Sequence, residues 1–198
     1  MNFAIIAQQL VSGMGSSLMI FVLTLLFSMP LGLLVAFGRM SKIKPLQAVI
    51  KVFIAILRGT PLMLQLLVVN FAPYYLFRIS LPRWYRFAAI IIGFSINYAA
   101  YFAEIYRSGI ESIPKGQYEA ASVLGYNKNQ TFFRIIFPQM VKRVLPPVTN
   151  EVITLVKDTS LAFVLAYEEM FTVAKQIASA RTSIMPLFVA GVFYFIFN

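Results

Sequence analysis

The chain of 198 residues contains no cysteine and no histidine. Without cysteine it can hold neither a disulfide framework nor a thiolate metal site. Without histidine the usual zinc and haem ligands are missing, and so is the Ser-His pair of hydrolytic triads. A single aspartate, Asp158, cannot form an aspartyl pair within one chain, so a membrane-embedded protease is disfavoured as well. No G-x-x-x-x-G-K-[ST] phosphate loop occurs, and any ATP hydrolysis must then reside on another chain. No catalytic residue, metal site or cofactor is expected, and the chain reads as a non-enzyme. Charge is scarce, at 12% of residues, and one-sided: seven acidic side chains stand against seventeen basic ones.

What is present is hydrophobic. Sixty per cent of the residues are apolar, 15% are aromatic, and the mean hydropathy is +0.78, values of an integral membrane protein. The net charge of +10 would suit nucleic acid, but the basic residues lie mostly between apolar runs, as anchors at a lipid surface. Membrane lipid, not nucleic acid, is the partner this pattern implies. Met1 to Gly38 carries no charged side chain, so the positive n-region of a secretory signal is lacking.

A spanning helix needs roughly 20 mostly apolar residues. Five candidates meet or approach this: 14–38, with Pro30 as a kink and Phe3 to Leu10 as an amphipathic lead-in, then 53–77, 86–107, 141–166 and 183–198. Arg39, Lys42, Lys44 and Lys51 crowd the first connection, and Lys115, Lys128, Arg134, Lys142 and Arg143 the third. By the positive-inside rule both are cytoplasmic and the N-terminus faces out. Arg78, Arg83 and Arg86 on the other side weaken that vote without reversing it, and Trp84 and Tyr85 suit an interfacial belt. The last span is short: Pro186 to Asn198 gives 13 residues, and a truncated final helix is the favoured reading.

Between the third and fourth spans lies a less apolar segment, about 112–138. Pro114 suits a first helical turn, Gln117 to Leu124 can run helically, and Gly125 is placed as a left-handed stop. Asn127 can cap a second short helix with Phe132, Phe133, Ile136 and Phe137 as its apolar stripe, ended by Pro138. Two helices hinged at a glycine, with Ala120 and Ala121 near the elbow, form a compact knob. Taken by itself, the segment equally fits an ordinary loop lying on the bilayer surface.

Glu119-Ala120-Ala121, Gly125 after three residues, and Ile135-Ile136-Phe137-Pro138 after nine more resemble the EAA loop (E-A-A-x3-G-x9-I-x-L-P) of bacterial ABC importer membrane subunits, with Phe137 in place of leucine. Arg58-Gly59-Thr60-Pro61-Leu62 with Gln65-Leu66 is similar to a signature of polar amino acid permeases. So are Asn97 to Ile110, Leu145-Pro146-Pro147 through Asn150-Glu151, and Lys157-Asp158-Thr159-Ser160-Leu161. Ala55 departs from the pattern, standing where many members carry glutamate. The resemblance covers about residues 10–198. It implies an all-α membrane protein with the five-helix core of type I importers, as one permease domain over 1–198. Glu119, Ala120, Ala121 and Gly125 would couple it to a dimer of ABC ATPase subunits. It further implies a second permease subunit, identical or paralogous, an extracytoplasmic amino-acid-binding protein, an amino acid substrate, and a place in the bacterial cytoplasmic membrane.

Ionisable groups inside a membrane are costly and tend to pair or to face a water-filled path. Glu151 stands about 12 Å along a helix from Arg143 at 1.5 Å per residue, near mid-membrane. Glu151, Thr154 and Asp158 share a face, and Lys157 points elsewhere. Asn97, Tyr101, Glu104 and Ser108 make a second polar stripe. Arg58 lies about 10 Å inward from Lys51. Carboxylates for an ammonium and cations for a carboxylate suit a zwitterionic amino acid. The candidate substrate contacts are Glu151, Asn97, Arg58, Lys157, Asp158 and Tyr101. Structural readings stand beside them: Glu104 with Arg107 as an i,i+3 pair, Arg58 capping the break at Gly59-Thr60-Pro61, and Lys157 with Asp158 neutralising each other. An ion-coupled secondary transporter would also use such carboxylates, but no internal repeat is found.

Overall fold

The computed structural model describes residues 3–198, and every regular element among them is helical. Helix α1 spans Phe3–Arg39, α2 Lys44–Gly59, α3 Leu62–Phe77 and α4 Tyr85–Glu111. The short helices α5 (Lys115–Val123) and α6 (Lys128–Gln130) follow, and a π-helical turn, Thr131–Ile136, leads into α7 (Phe137–Asp158). A 3-10 segment, Thr159–Leu165, precedes α8 (Met170–Arg181) and α9 (Met185–Phe197).

The expected spans survive in order, with four corrections. The amphipathic lead-in and the first span are one helix that continues through Pro30. The expected span 53–77 is two helices bent by 111° at Thr60-Pro61. Pro61 has no N–H to continue α2 and supplies the N-cap of α3. Pro138 does not end a helix. Within the π turn the Phe137 N–H bonds back to the Phe132 carbonyl, and this wider register carries the helix past the proline ring. Finally, α8 is an additional helix between the last two expected spans. It is only 12 residues long, and Lys175, Gln176, Ser179 and Arg181 interrupt its apolar residues, so no span is signalled there.

By length and hydropathy, α1 and α4 are able to cross a membrane alone, and α2 with α3 only as a bent pair. Helix α4 is the axis of the fold. Ile90, Phe94, Tyr98 and Phe102 are fully or almost fully buried on it, against Ile20 of α1, Leu66 of α3, Leu155 of α7, and Ala162 and Leu165 of the 3-10 segment. A second cluster joins Ile6 and Leu10 of α1 to Met170 and Ala174 of α8 and to Val189 and Ala190 of α9. The side chains of Leu26, Leu34, Phe195 and Ile196 face outward, as lipid-facing positions do. Nothing in the sequence pattern singles out Glu169, which is buried; it caps α8 by accepting from the N–H groups of Phe171 (2.7 Å) and Thr172 (2.6 Å).

The α1–α4 contact depends on a small residue. A Cβ on Gly32 would stand 2.8 Å from Phe102 Cβ and 3.1 Å from the Ala99 carbonyl oxygen, neither of them the end of a flexible chain. Gly32→Val should therefore destabilise the protein by about 1–3 kcal/mol, the usual cost of overpacking. Thermal unfolding of the solubilised protein tests this, with Gly15→Ala as the control, because nothing lies within 4 Å of a Cβ at Gly15. Equal melting of the two variants would refute the close-packed contact.

Candidate functional site

Two regions carry the residues singled out from the sequence. The first surrounds the break between α2 and α3. Ending α2 in an apolar setting frees carbonyls that must find donors. Gln65, one turn into α3, donates from Nε2 to the carbonyls of Leu57 (2.9 Å) and Thr60 (3.1 Å) and to Thr60 Oγ1 (2.8 Å). Thr60 Oγ1 in turn donates to the Ile56 carbonyl at 2.8 Å. Asn97, 4% exposed on α4, donates from Nδ2 to Gln65 Oε1 (2.9 Å) and to the Leu57 carbonyl (3.2 Å). Asn97 thus clamps the break to the central helix, and its amide donor is committed within the chain. Gln65 appears in the sequence only as part of a motif; its clamping role depends on a partner 32 residues away.

The clamp positions Arg58. Its guanidinium lies over the Tyr101 ring, 5.1 Å from the centroid, a cation–π contact between α2 and α4. One turn before Tyr101, buried Tyr98 donates its hydroxyl to Asp158 Oδ2 at 2.7 Å. Asp158 is therefore held by a tyrosine; it makes no ion pair with Lys157 among the described residues, and Lys157 is exposed. Glu151 is half-buried on α7, within electrostatic reach of Arg58 and Asp158 but in direct ion pairing with neither. Arg58, Tyr101, Glu151 and Asp158 are thus gathered around α4 and α7. Glu104, one turn beyond Tyr101 on α4, is engaged instead with Arg107 at 2.7 Å and with Arg39 at 3.9 Å; the pairing with Arg107 is the structural one expected for it.

The second region is the knob. Helix α5 ends in a Schellman motif: the Tyr126 N–H bonds to the Ala121 carbonyl and the Gly125 N–H to that of Ser122, each at 3.0 Å. Gly125 has φ +76°, the left-handed stop read from the sequence. Asn127 and Gln130 form a reciprocal capping box, with bonds of 2.9 and 3.0 Å. Ala121 is buried at 1% exposure, while Glu119, Ala120 and Gly125 are exposed. Beside them Val123 and Leu124 stand out at 88% and 73% exposure, with Phe133 also exposed. Arg143 donates to the Ser112 carbonyl and, at 3.0 Å, to Ser112 Oγ, which ties the start of α7 to the end of α4.

The family model for the binding-protein-dependent transport system inner membrane component matches residues 28–198, knob and polar centre included. The chain belongs to this family. It is 38% identical over 175 residues to the L-cystine transport system permease protein TcyB of Bacillus subtilis, covering 88% of this chain and 73% of that one. It is 31% identical over 188 residues to the arginine transport system permease protein ArtQ of the same organism, covering 94% and 84%. A crystal structure of an amino acid ABC transporter with histidines superposes with a TM-score of 0.88 at 30% identity, over all of this chain and 92% of that one. The MetNI methionine ABC transporter in an inward-facing form, at 16% identity and a TM-score of 0.68, shares the fold over 99% of this permease and 94% of that chain.

The clamp generates a testable expectation. Gln65→Ala takes its side-chain donor from the Thr60 carbonyl and Asn97→Ala one of two from the Leu57 carbonyl, at about 0.5–3 kcal/mol each. Because Gln65 and Asn97 bond each other and both serve the Leu57 carbonyl, the loss in the double variant should depart from the sum of the two. Strict additivity in a thermal double-mutant cycle would show that the two amides act independently.

Proposed function

We infer that this permease is the membrane-spanning subunit of an ATP-driven amino acid importer. Its relatives carry amino acid transport names, and its polar centre offers both signs of charge to a zwitterion. In this reading the knob docks on a separate dimer of ATPase subunits, which perform the hydrolysis, and a second permease subunit, identical or paralogous, completes the path. An extracytoplasmic binding protein delivers the amino acid. The N-terminus faces out, so that the knob and the basic residues around it face the cytoplasm, where ATP is.

The observation that carries the coupling role is the exposure of Val123 and Leu124 at the apex of a helix stopped by a left-handed glycine. Apolar side chains held out by a rigid turn fit a partner's groove. Glu119 and Ala120 are exposed on the same helix, and Ala121 is buried. Substrate is held around Glu151, which accepts hydrogen bonds from the ammonium, while Arg58 or Lys157 holds the carboxylate. Tyr101 and Asp158 border that space, and Asn97 serves it by fixing the broken helix that carries Arg58.

Two variants test these roles. Glu151→Gln keeps size and removes charge, so uptake should fall at least tenfold with the complex assembled; Glu104→Gln should transport near normally. Normal uptake by Glu151→Gln, or its failure to assemble, removes Glu151 as a substrate ligand. At Gly125 nothing lies within 4 Å of the position a Cβ would take, so a side chain there acts through the backbone alone. Gly125→Val should cost about 1–2 kcal/mol in the left-handed region and separate ATP hydrolysis from transport. Unchanged coupling in Gly125→Val would count against the knob as the transmitting element.

A further inference from the structure

Helix α2 presents three faces. Ile54 is buried against Ala36 of α1 and Ala100 and Ala103 of α4, with Ile50, Phe53 and Leu57 packed beside it. Val49, Val52 and Ile56 form an exposed apolar strip. Between the two, Lys44, Ala48, Lys51, Ala55 and Arg58 stand at i, i+4, i+7, i+11 and i+14, one line along the helix. All of them are exposed. The line is cationic and otherwise small, so only alanine stands between one charge and the next.

No carboxylate answers it. The first 103 residues contain no acidic side chain, and none of Lys44, Lys51 and Arg58 forms an ion pair among the described residues. Glu104 and Glu111 on α4 are taken by Arg107, and Glu104 by Arg39 as well. One end of the line meets the polar centre: Arg58 lies over Tyr101, 5.1 Å from the ring centroid, and within electrostatic reach of Glu151. The space beside it is open, since a Cβ on Gly59 would meet nothing within 4 Å. The other end, Lys44, starts α2 next to Lys42 and Arg39 in the first basic connection. Lys51 lies midway, about 10 Å from either end at 1.5 Å per residue. An ammonium at such a depth is costly unless it faces a counter-charge or a water-filled path.

We propose that Lys44, Lys51 and Arg58 line the exit route of the transported amino acid and pass its carboxylate from the polar centre to the cytoplasm. The proposal rests on the reading of the chain as an importer's permease with its basic connections inside. Steps of about 10 Å are too long for one carboxylate to bridge, so a single cation holds it at a time. The flexible stem of lysine shortens each gap. Successive weak sites suit a route that must release what it binds. Lipid phosphates fit less well: headgroups at the interface reach Lys44, but Arg58 stands against the polar centre about 20 Å further along.

The test uses the complete importer in liposomes of neutral phosphatidylcholine, with ATP inside and its purified binding protein outside. Uptake of a radiolabelled mixture of the protein amino acids and cystine is counted per ATP hydrolysed. Lys51→Met keeps the stem and removes the charge, so uptake per ATP should fall about fivefold, the scale of one exposed charge interaction. Lys51→Arg keeps the charge and should match the unmodified chain, as should Lys42→Gln, which lies off the line in the same connection. Normal uptake by Lys51→Met would overturn the proposal. An equal loss in Lys51→Arg would reduce Lys51 to packing, and an equal loss in Lys42→Gln would reduce the effect to net charge; either overturns it too. So would a loss confined to liposomes containing anionic phosphatidylglycerol, which would assign the lysine to lipid. Failure of Lys51→Met to co-purify with the ATPase would make Lys51 structural and count against the route. If the unmodified importer takes up no label with ATP, the functional reading falls, and the exit route with it.

Discussion

A helix can be broken inside hydrocarbon only if the backbone groups it releases are bonded again. That requirement governs the centre of this permease. The chain turns by 111° at Thr60-Pro61, and Gln65, Thr60 and Asn97 supply the hydrogen bonds that make the turn tolerable. Fixing the turn fixes the end of α2, and the end of α2 carries Arg58 over Tyr101. The charged centre is thus a consequence of how a local backbone problem is solved. Asn97 belongs to that solution, although its place in a polar stripe invites a ligand role.

Local chemistry was legible in the sequence, and chemistry between distant elements was not. The glycine stop at Gly125 and the cap at Asn127 depend on residues within a few positions, and both have the expected geometry. The order of the apolar spans was legible for the same reason, since hydropathy is a property of each segment. By contrast, the bonds from Tyr98 to Asp158 and from Asn97 to Gln65 join residues 60 and 32 positions apart. No periodicity reports them. Helix α8 escaped because the turns on both sides of it use Ala166 and Thr182 in left-handed conformations, where glycine would have announced a break. Pro138 misled because a π register, invisible in the residue pattern, relieves the clash that normally stops a helix.

The distribution of charge follows the same division of labour. Two acids in the later turns of α4 are absorbed by one arginine: Glu104 and Glu111 are both bound by Arg107. Those of the polar centre are held by tyrosine or stand near a cation without touching it. A carboxylate already engaged in a tight ion pair has little left to offer a ligand, whereas Glu151 retains its hydrogen-bonding capacity. This contrast explains why two glutamates in adjoining helices of one bundle are assigned different roles.

The π turn has a mechanical consequence. From Lys128 to Asp158 the backbone is helical without interruption, a path of roughly 45 Å at 1.5 Å per residue with Pro146 and Pro147 inside it. Its near end begins at the capping box, and its far portion bears Glu151 and Asp158. A flexible loop between the two would dissipate any displacement as local slack. Here Arg143 ties the helix to Ser112 at the end of α4, and Pro146-Pro147 just beyond that tie are where it can flex before Glu151. A displacement at the capping box would therefore meet an anchored point and then a proline hinge on its way to Glu151, not a loop.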